Sequence, residues 1–235
     1  MPVAKQLPAA NQLFAAMPRQ AYQRMLTSVV QVELTYGQVL YEPHGRIEYV
    51  YFPINCLVSL LTAVDERRTL EIGMVGNEGM VGMPMVLGIN VSAVQALVHG
   101  AGIALRMPAA RFRAEFKKNV PLQNALFRYN HLLMAQISQT AACNRFHTSG
   151  QRLARWLLMT SDRLHAVDFH LTHEFLSHML GIRREGVTHA ARAFEHKNLI
   201  EYSRGNIRIL NRKNRETAAC TGYRIVKDLQ DSAHA

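Results

Sequence analysis

The chain has 235 residues and a formal net charge of +10. This length suits two modest domains, and the positive charge favours a polyanionic partner. The charge is spread along the chain: residues 1–147 carry 13 Lys and Arg against 8 acids, and residues 148–235 carry 14 against 9. Basicity alone therefore does not show which half binds the partner.

The lack of a recognisable targeting signal and the spacing of the cysteines predict a cytoplasmic protein. Residues 1–17 contain prolines and no sustained apolar run, which argues against a signal peptide. No stretch approaches the ~20 apolar residues of a membrane span. Cys56, Cys143 and Cys220 are widely separated, which fits a reducing compartment better than a disulfide framework. We therefore expect a cytoplasmic location and no membrane partner.

Residues 32–107 predict an all-β domain after a short helix around residues 15–27. Short β-rich runs alternate with turn signals; examples are residues 39–41, 49–52, 58–64, 69–75 and 94–98. Such spacing is typical of a sandwich or jelly roll. A cupin-type metalloenzyme needs a His-x-His pair in this region, and none is present, so we predict no enzyme activity.

Residues 121–146 predict a long helix with a coiled-coil seam. The seam repeats in a 4-3 pattern through Leu122, Leu126, Tyr129, Leu133 and Gln136. A helix of ~26 residues is about 39 Å long, which is long for a purely internal helix. We therefore predict that this seam joins two copies of the chain. The alternative is a core helix of one domain.

Residues 171–210 predict a winged helix-turn-helix. Thr172 is a suitable N-cap for a short amphipathic helix that ends at Gly181, where a sharp turn favours glycine. Ser177 is small where two helices cross, and Val187 lies on the buried stripe of the second helix, so Ser177, Gly181 and Val187 form the predicted core of the motif. Two β-rich runs, residues 199–202 and 207–210, flank Gly205 and predict a hairpin wing.

The outward face of the second helix, residues 184–197, carries base-reading chemistry. Arg184 can bind guanine bidentately, and Glu185 can accept from the cytosine amino group. Arg183 is better suited to phosphate. The predicted DNA contacts are Arg183, Arg184, Glu185, Thr188, His189 and Arg192 on the helix and Arg204 and Arg208 on the wing. The predicted partner is double-stranded DNA; the alternative is a dimeric signalling module that binds a protein through this domain.

A β-roll, a long helix and a winged helix-turn-helix in this order resemble the Crp/Fnr superfamily of bacterial transcription regulators. The most specific passages are GMVGMP at 79–84, CNRFH at 143–147, RLARWLL at 152–158 and residues 172–206. The resemblance implies an α+β chain. A cyclic-nucleotide-binding-like jelly roll and dimerisation helix would occupy residues 1–147, and the DNA-binding domain residues 148–235. It also implies a homodimeric regulator that relays an effector signal from the β-roll to the recognition helix, with RNA polymerase as a further partner.

The resemblance assigns base reading to Arg184, Glu185 and His189. The family pattern usually has Ser or Thr where this chain has Arg183, and often Arg where it has His189. These two departures point to a preferred half-site that differs from the best-known one of the family.

The sensor region departs from the cyclic-nucleotide-binding members of the superfamily. Those members carry Gly-Glu and then Arg-Ser-Ala, whose Glu binds the ribose hydroxyl and whose Arg neutralises the cyclic phosphate. Met83 and Val91 stand at these two positions here. An unpaired phosphate would be costly to bury, so we do not expect cyclic-nucleotide binding.

No other cofactor is predicted from the sequence. An iron–sulfur cluster needs closely grouped cysteines, which the chain lacks. Haem would need axial ligands, and His44 and His99 are the only histidines in the β region. The effector is therefore left unassigned.

A cluster of four methionines leaves two interpretations open. Met74, Met80, Met83 and Met85 are either adaptable core filling or the lining of an apolar effector pocket.

Cys143 and His147 are four residues apart on one helix face, which is compatible with two metal ligands. Two residues do not make a metal site, so none is predicted. An approach of Cys220 would bear on a metal or redox site, and packing at the domain junction is the alternative.

Overall fold

The computed structural model describes residues 11–65, 68–203, 205–210 and 216–233. Helices α1 (Gln12–Ala15) and α2 (Arg19–Leu26) precede the β-roll. Asn11 caps α1 by accepting from the amide of Leu13, and its Nδ2 donates to the carbonyls of Pro53 and Gly79. This side chain therefore attaches the leading helices to the β-roll.

The β-roll is built from two antiparallel sheets. One sheet has the order β1-β7-β3 and the other the order β2-β6-β4-β5. Its strands are β1 (Val30–Leu34), β2 (Val39–Tyr41), β3 (Tyr49–Pro53), β4 (Leu57–Ala63), β5 (Thr69–Val75), β6 (Gln95–Gly100) and β7 (Gly102–Pro108). A 3-10 helix (Met83–Leu87) connects β5 to β6 and is flanked by Gly82 and Gly88, both in the left-handed region.

Two helices follow the roll, α3 (Ala109–Lys118) and α4 (Val120–Phe146). The Asn119 side chain caps α4 by accepting from the amide of Leu122 over 3.1 Å, and Pro121 suits its first turn, where an amide is not needed. The helix spans 27 residues. Its buried face packs against the core of the β-roll.

The residues predicted to join two copies of the chain lie on this buried face, so the prediction of a dimer seam there is wrong. Leu122, Leu126, Tyr129, Leu133 and Gln136 are all buried within the single chain. The Gln136 side chain also forms two hydrogen bonds with the backbone of Met74 in β5. It donates to the Met74 carbonyl over 3.1 Å and accepts from the Met74 amide over 2.9 Å. The 4-3 pattern does indicate a buried face of the helix. That face is covered by the β-roll of the same chain and not by a second copy.

The opposite face of α4 is exposed and has its own repeat. Its side chains recur at alternating intervals of three and four residues, namely Asn124, Phe127, His131, Met134, Ser138, Ala141 and Arg145. Phe127 and Met134 are large apolar side chains on this face that are 53% and 61% exposed.

The remaining helices and strands form the winged domain. They are α5 (Ser149–Leu164), β8 (Asp168–His170), α6 (His173–Leu180), α7 (Arg184–His196), β9 (Ile200–Ser203), β10 (Asn206–Ile209) and α8 (Thr221–Ala233). The three strands form a sheet of order β8-β10-β9. Thr148 starts α5 with a capping box to Gln151, one residue after His147 ends α4. The predicted α+β order of β-roll, long helix and winged helix-turn-helix is confirmed.

The winged domain shares its hydrophobic core with the β-roll. Leu57, Leu61 and Met74 of the four-stranded sheet belong to the same buried cluster as the apolar side chains of α5, α6 and α7. The winged domain therefore packs directly on one sheet of the roll. In the described part of the chain, every helix is too short or too polar to cross a lipid bilayer.

Candidate DNA-binding interface

The helix-turn-helix begins with a capped helix and a left-handed turn. The Thr172 hydroxyl accepts from the amide of Phe175 over 3.1 Å at the start of α6. Gly181 ends α6 with φ of 59°, a conformation that glycine adopts without a Cβ penalty. The Ser177 side chain is buried and donates to the carbonyl of Glu174. A Cβ on Gly181 would lie 2.5 Å from Leu70 Cδ1, so the turn also rests against β5.

Helix α7 presents one apolar face and one polar face. Val187, Ala190, Ala191 and Phe194 are buried against the rest of the domain. Arg183 occupies the N-cap position without a capping side-chain bond.

Most of the predicted DNA contacts on α7 are exposed. The side chains of Arg183, Arg184, Glu185, His189 and Arg192 all face solvent. Within the described residues these side chains have no hydrogen bond or ion pair, so they are available to a ligand. Thr188, the sixth predicted DNA contact on the helix, is not free in this way.

Thr188 is half-buried and its hydroxyl is already bonded. It lies 2.9 Å from His173 Nδ1 and donates to the carbonyl of Arg184 over 3.0 Å. The contact with His173 connects α7 to α6, whereas the bond to Arg184 lies within α7, so the structure places Thr188 between the two helices rather than with the free side chains.

The wing is formed by β9 and β10. Gly205 lies at the bend with φ of 83°, and the predicted contact Arg204 lies outside the described residues. Arg208 is exposed, and its Nε donates to Asp168 Oδ1 over 2.7 Å. An exposed ion pair of this kind adds little to stability, so a phosphate could compete for the guanidinium.

Buried polar contacts that no sequence motif marks connect the winged domain to the β-roll. Trp156 Nε1 donates to Glu71 Oε1 over 2.9 Å, and the Ser59 hydroxyl bonds to the same carboxyl and lies 2.5 Å from His99 Nδ1. Burial raises the pKa of Glu71 to about 7 and lowers the pKa of His99 to about 3. The signal in the sequence is a carboxylate inside the predicted strand 69–75.

A second polar contact between the two halves is an ion pair. Arg163 Nε donates to Glu78 Oε1 over 2.7 Å, and both side chains are buried. Glu78 lies in the turn after β5, whereas Arg163 lies near the end of α5. The pair therefore fixes the position of α5 on the roll.

The β-roll contains an apolar cavity of about 300 Å³ beside α4. Met83 and Val91, the residues at the two key positions of the nucleotide cassette, both line it. Asn130 and Leu133 close the side formed by α4. Within the described residues no Lys, Arg, Asp or Glu lines the cavity, so nothing there neutralises a phosphate.

The four clustered methionines divide between the two interpretations left open by the sequence. Met80 and Met83 line the cavity. Met85 is buried in the core of the β-roll, and Met74 is buried in the core shared with the winged domain. Only part of the cluster therefore faces a ligand-sized space.

The fold and the exposed face of α7 define a winged helix-turn-helix domain seated on a β-roll. Residues 151–214 match the family model of the Crp-like helix-turn-helix domain. Among curated proteins, none matches the chain by sequence.

Several solved structures share the fold of more than four fifths of the chain. FixK2 from Bradyrhizobium japonicum has a TM-score of 0.69 at 14% identity, over 82% of this chain and 98% of FixK2. A protein from Eubacterium rectale described as a Crp/Fnr-family regulator has a TM-score of 0.68 at 17% identity, over 88% of this chain and 96% of its own. The c-di-GMP responsive regulator CLP from Xanthomonas campestris has a TM-score of 0.67 at 15% identity, over 83% of this chain and 100% of CLP. The predicted resemblance to Crp/Fnr regulators is confirmed in the fold and in the helix-turn-helix domain.

Proposed function

We propose that the chain is a homodimeric, sequence-specific DNA-binding transcription regulator whose β-roll relays an effector signal to α7. This proposal rests on the exposed face of α7 in a Crp-like helix-turn-helix domain. Arginines alone would suit phosphates, whereas Glu185 between Arg184 and His189 adds an acceptor that suits base edges.

Dimerisation is assigned to the exposed stripe of α4 that contains Phe127, His131 and Met134. The alternating three- and four-residue spacing is that of a two-stranded coiled coil, and the two large apolar side chains would be covered by their counterparts. A twofold axis along α4 would present two copies of α7 to half-sites ~34 Å apart.

The effector is assigned to the apolar cavity, as an uncharged small molecule. Asn130 and Leu133 belong to both the cavity wall and α4, so an occupant would contact the proposed dimer helix directly. The domains divide at 147/148 in this proposal, with RNA polymerase as a further partner and the cytoplasm as the site of action. We assign the chain no enzyme activity.

The test is selection of bound fragments from a random duplex library by the full-length chain, followed by affinity measurements at several salt concentrations. We expect a palindromic site and salt-dependent binding. Arg184→Ala with Glu185→Ala should remove selectivity and leave the dimer intact, whereas Arg24→Ala, on the exposed side of α2, should change neither. Unchanged selectivity in the double variant, or binding to a protein and not to duplex DNA, would contradict the proposal.

A further inference from the structure

Cys143, His147 and Cys220 come together where α4 ends and α8 begins. Their ligand atoms all lie within 4.8 Å of one another, and the two Sγ atoms are 3.1 Å apart. Cys143 lies in the last turn of α4 and His147 caps the end of that helix, whereas Cys220 is 77 positions from Cys143 along the chain. The fold therefore supplies the third ligand that the sequence alone could not place.

His147 brings a nitrogen whose hydrogen-bonding capacity is unused. Its Nδ1 is buried and has no hydrogen-bond partner within the described residues. Buried polar atoms without a partner are rare in native structures, and an absent ion is one of their explanations.

Gly222 makes room for the two sulfur atoms. A Cβ at this position would lie 2.8 Å from Cys143 Sγ and 3.5 Å from Cys220 Sγ. The first turn of α8 can therefore approach α4 only because residue 222 has no side chain. Cys143 and Cys220 are both buried, so the sulfur atoms are shielded from solvent.

We propose that Cys143, His147 and Cys220 bind a thiophilic d10 metal ion, Cu⁺ or Zn²⁺. Thiolates and imidazole are ligands that both ions accept, and Cys2His is a known donor set for zinc. The positive charge of buried Arg155 acts on both sulfur groups. The partly buried Arg152 also acts on the Cys143 thiol, so charge alone does not distinguish Cu⁺ from Zn²⁺ and both ions are tested.

The metal would fasten α8 to the end of α4, next to the junction with α5. If the proposed function holds, occupancy of the site changes the position of the winged domain and hence the affinity for DNA. Metal binding itself does not depend on DNA binding, and the two are measured separately.

The experiment titrates the reduced, full-length chain without oxygen, using Cu⁺ in one arm and Zn²⁺ in the other, each against a chromophoric chelator. We expect one ion per chain, with two sulfur ligands and one nitrogen ligand by X-ray absorption. Cys143→Ser and Cys220→Ser should each weaken binding by at least about 100-fold, since changes outside the ligand set already cost 10–100-fold. Cys56→Ala is the matched control, because it removes a buried thiol of the β-roll that belongs to the other core.

His147→Gln keeps the test decisive if a cysteine variant fails to fold, because His147 is only half-buried. It should weaken binding by at least about tenfold with an unchanged circular dichroism spectrum. Failure of the reduced chain to bind either ion, even if it oxidises to a Cys143–Cys220 disulfide, would overturn the proposal. Full affinity in both cysteine variants would overturn it as well. Loss of DNA binding with normal metal binding would count against the proposed function alone.

Discussion

Trp156 of α5 donates a hydrogen bond of 2.9 Å to the carboxyl group of Glu71 in β5, and so joins the winged domain to the β-roll. Glu71 is buried, with the Ser59 hydroxyl as its second partner. Its carboxyl group is therefore held between the two halves of the molecule, where its protonation state affects their contact.

The stability of the chain should depend on the ionisation of Glu71. Burial raises the pKa of this group from 4.5 to about 7 in the folded chain. Its contribution to stability is therefore fully present below pH 4.5 and is lost as the pH rises through 7. Relative to Glu71→Gln, the wild-type free energy of unfolding should fall by on the order of 3 kcal/mol over this interval.

Urea denaturation of both chains at pH 5, 6, 7 and 8 measures this difference. His99, whose lowered pKa acts in the opposite sense, is present in both chains, so its contribution largely cancels in the comparison. Parallel pH profiles for the two chains would contradict the role given to Glu71.

Removing one partner of the buried pair Glu78–Arg163 should destabilise the chain strongly. Glu78→Ala leaves the Arg163 charge buried without its carboxylate, at an expected cost of about 3–5 kcal/mol. The double variant Glu78→Met with Arg163→Met should cost less than the single one, because neither charge remains. Denaturant unfolding measures both values, and a double variant at least as unstable as Glu78→Ala would contradict this explanation.

Arg183 and Arg184 should differ in what they contribute to DNA binding. Arg183→Ala should weaken binding to all sequences alike and lower the salt slope by about 1, as loss of a phosphate contact does. Arg184→Ala should relax selectivity at one base pair, at about 1–3 kcal/mol. Fluorescence anisotropy with the selected site and single-base variants separates the two, and equal selectivity profiles would refute the distinction.

A charge on the exposed stripe of α4 should separate the dimer. Met134 is 61% exposed in the single chain, and Met134→Glu would place two like charges at the centre of the proposed interface. Analytical ultracentrifugation should detect a folded monomer. Val30→Glu is the control, because Val30 is 54% exposed on β1 and outside the stripe. A Met134→Glu chain that remains dimeric would exclude this face as the interface.

A charge at the wall of the β-roll cavity should prevent binding of an apolar probe. Val91 is 41% exposed at the cavity, and Val39, 39% exposed on β2, serves as its match outside it. Val91→Lys should weaken binding of the neutral dye Nile red by at least about tenfold, because an ammonium group would be desolvated. Val39→Lys should leave binding unchanged, and cyclic AMP should not raise the Tm of the wild-type chain. Stabilisation by cyclic AMP would contradict the apolar assignment.

Local signals make much of the winged domain predictable from the sequence. Thr172, Gly181 and Gly205 each specify a cap or a turn through their own backbone preferences. Strand β1 lacks such a signal, because four of its five side chains are at least partly exposed and the alternation is weak.

The environment of α4 and the cysteine cluster could not be predicted because they depend on distant parts of the chain. The spacing of Leu122 through Gln136 identifies a buried face and contains nothing about which chain covers it. The position of Cys220 depends on α8 folding back onto α4, which no local pattern records. The free face with Phe127 and Met134 is visible in the sequence only once the buried face has been assigned.

The shared core has a consequence for how the molecule can be divided. Leu57, Leu61 and Met74 lie in the β-roll but are buried among side chains of the winged domain. A fragment that begins at residue 148 would expose the apolar surface that these three side chains cover. The winged domain is therefore not an interchangeable module. A chimera that fuses it to another sensor must also provide a β-sheet with a matching apolar surface.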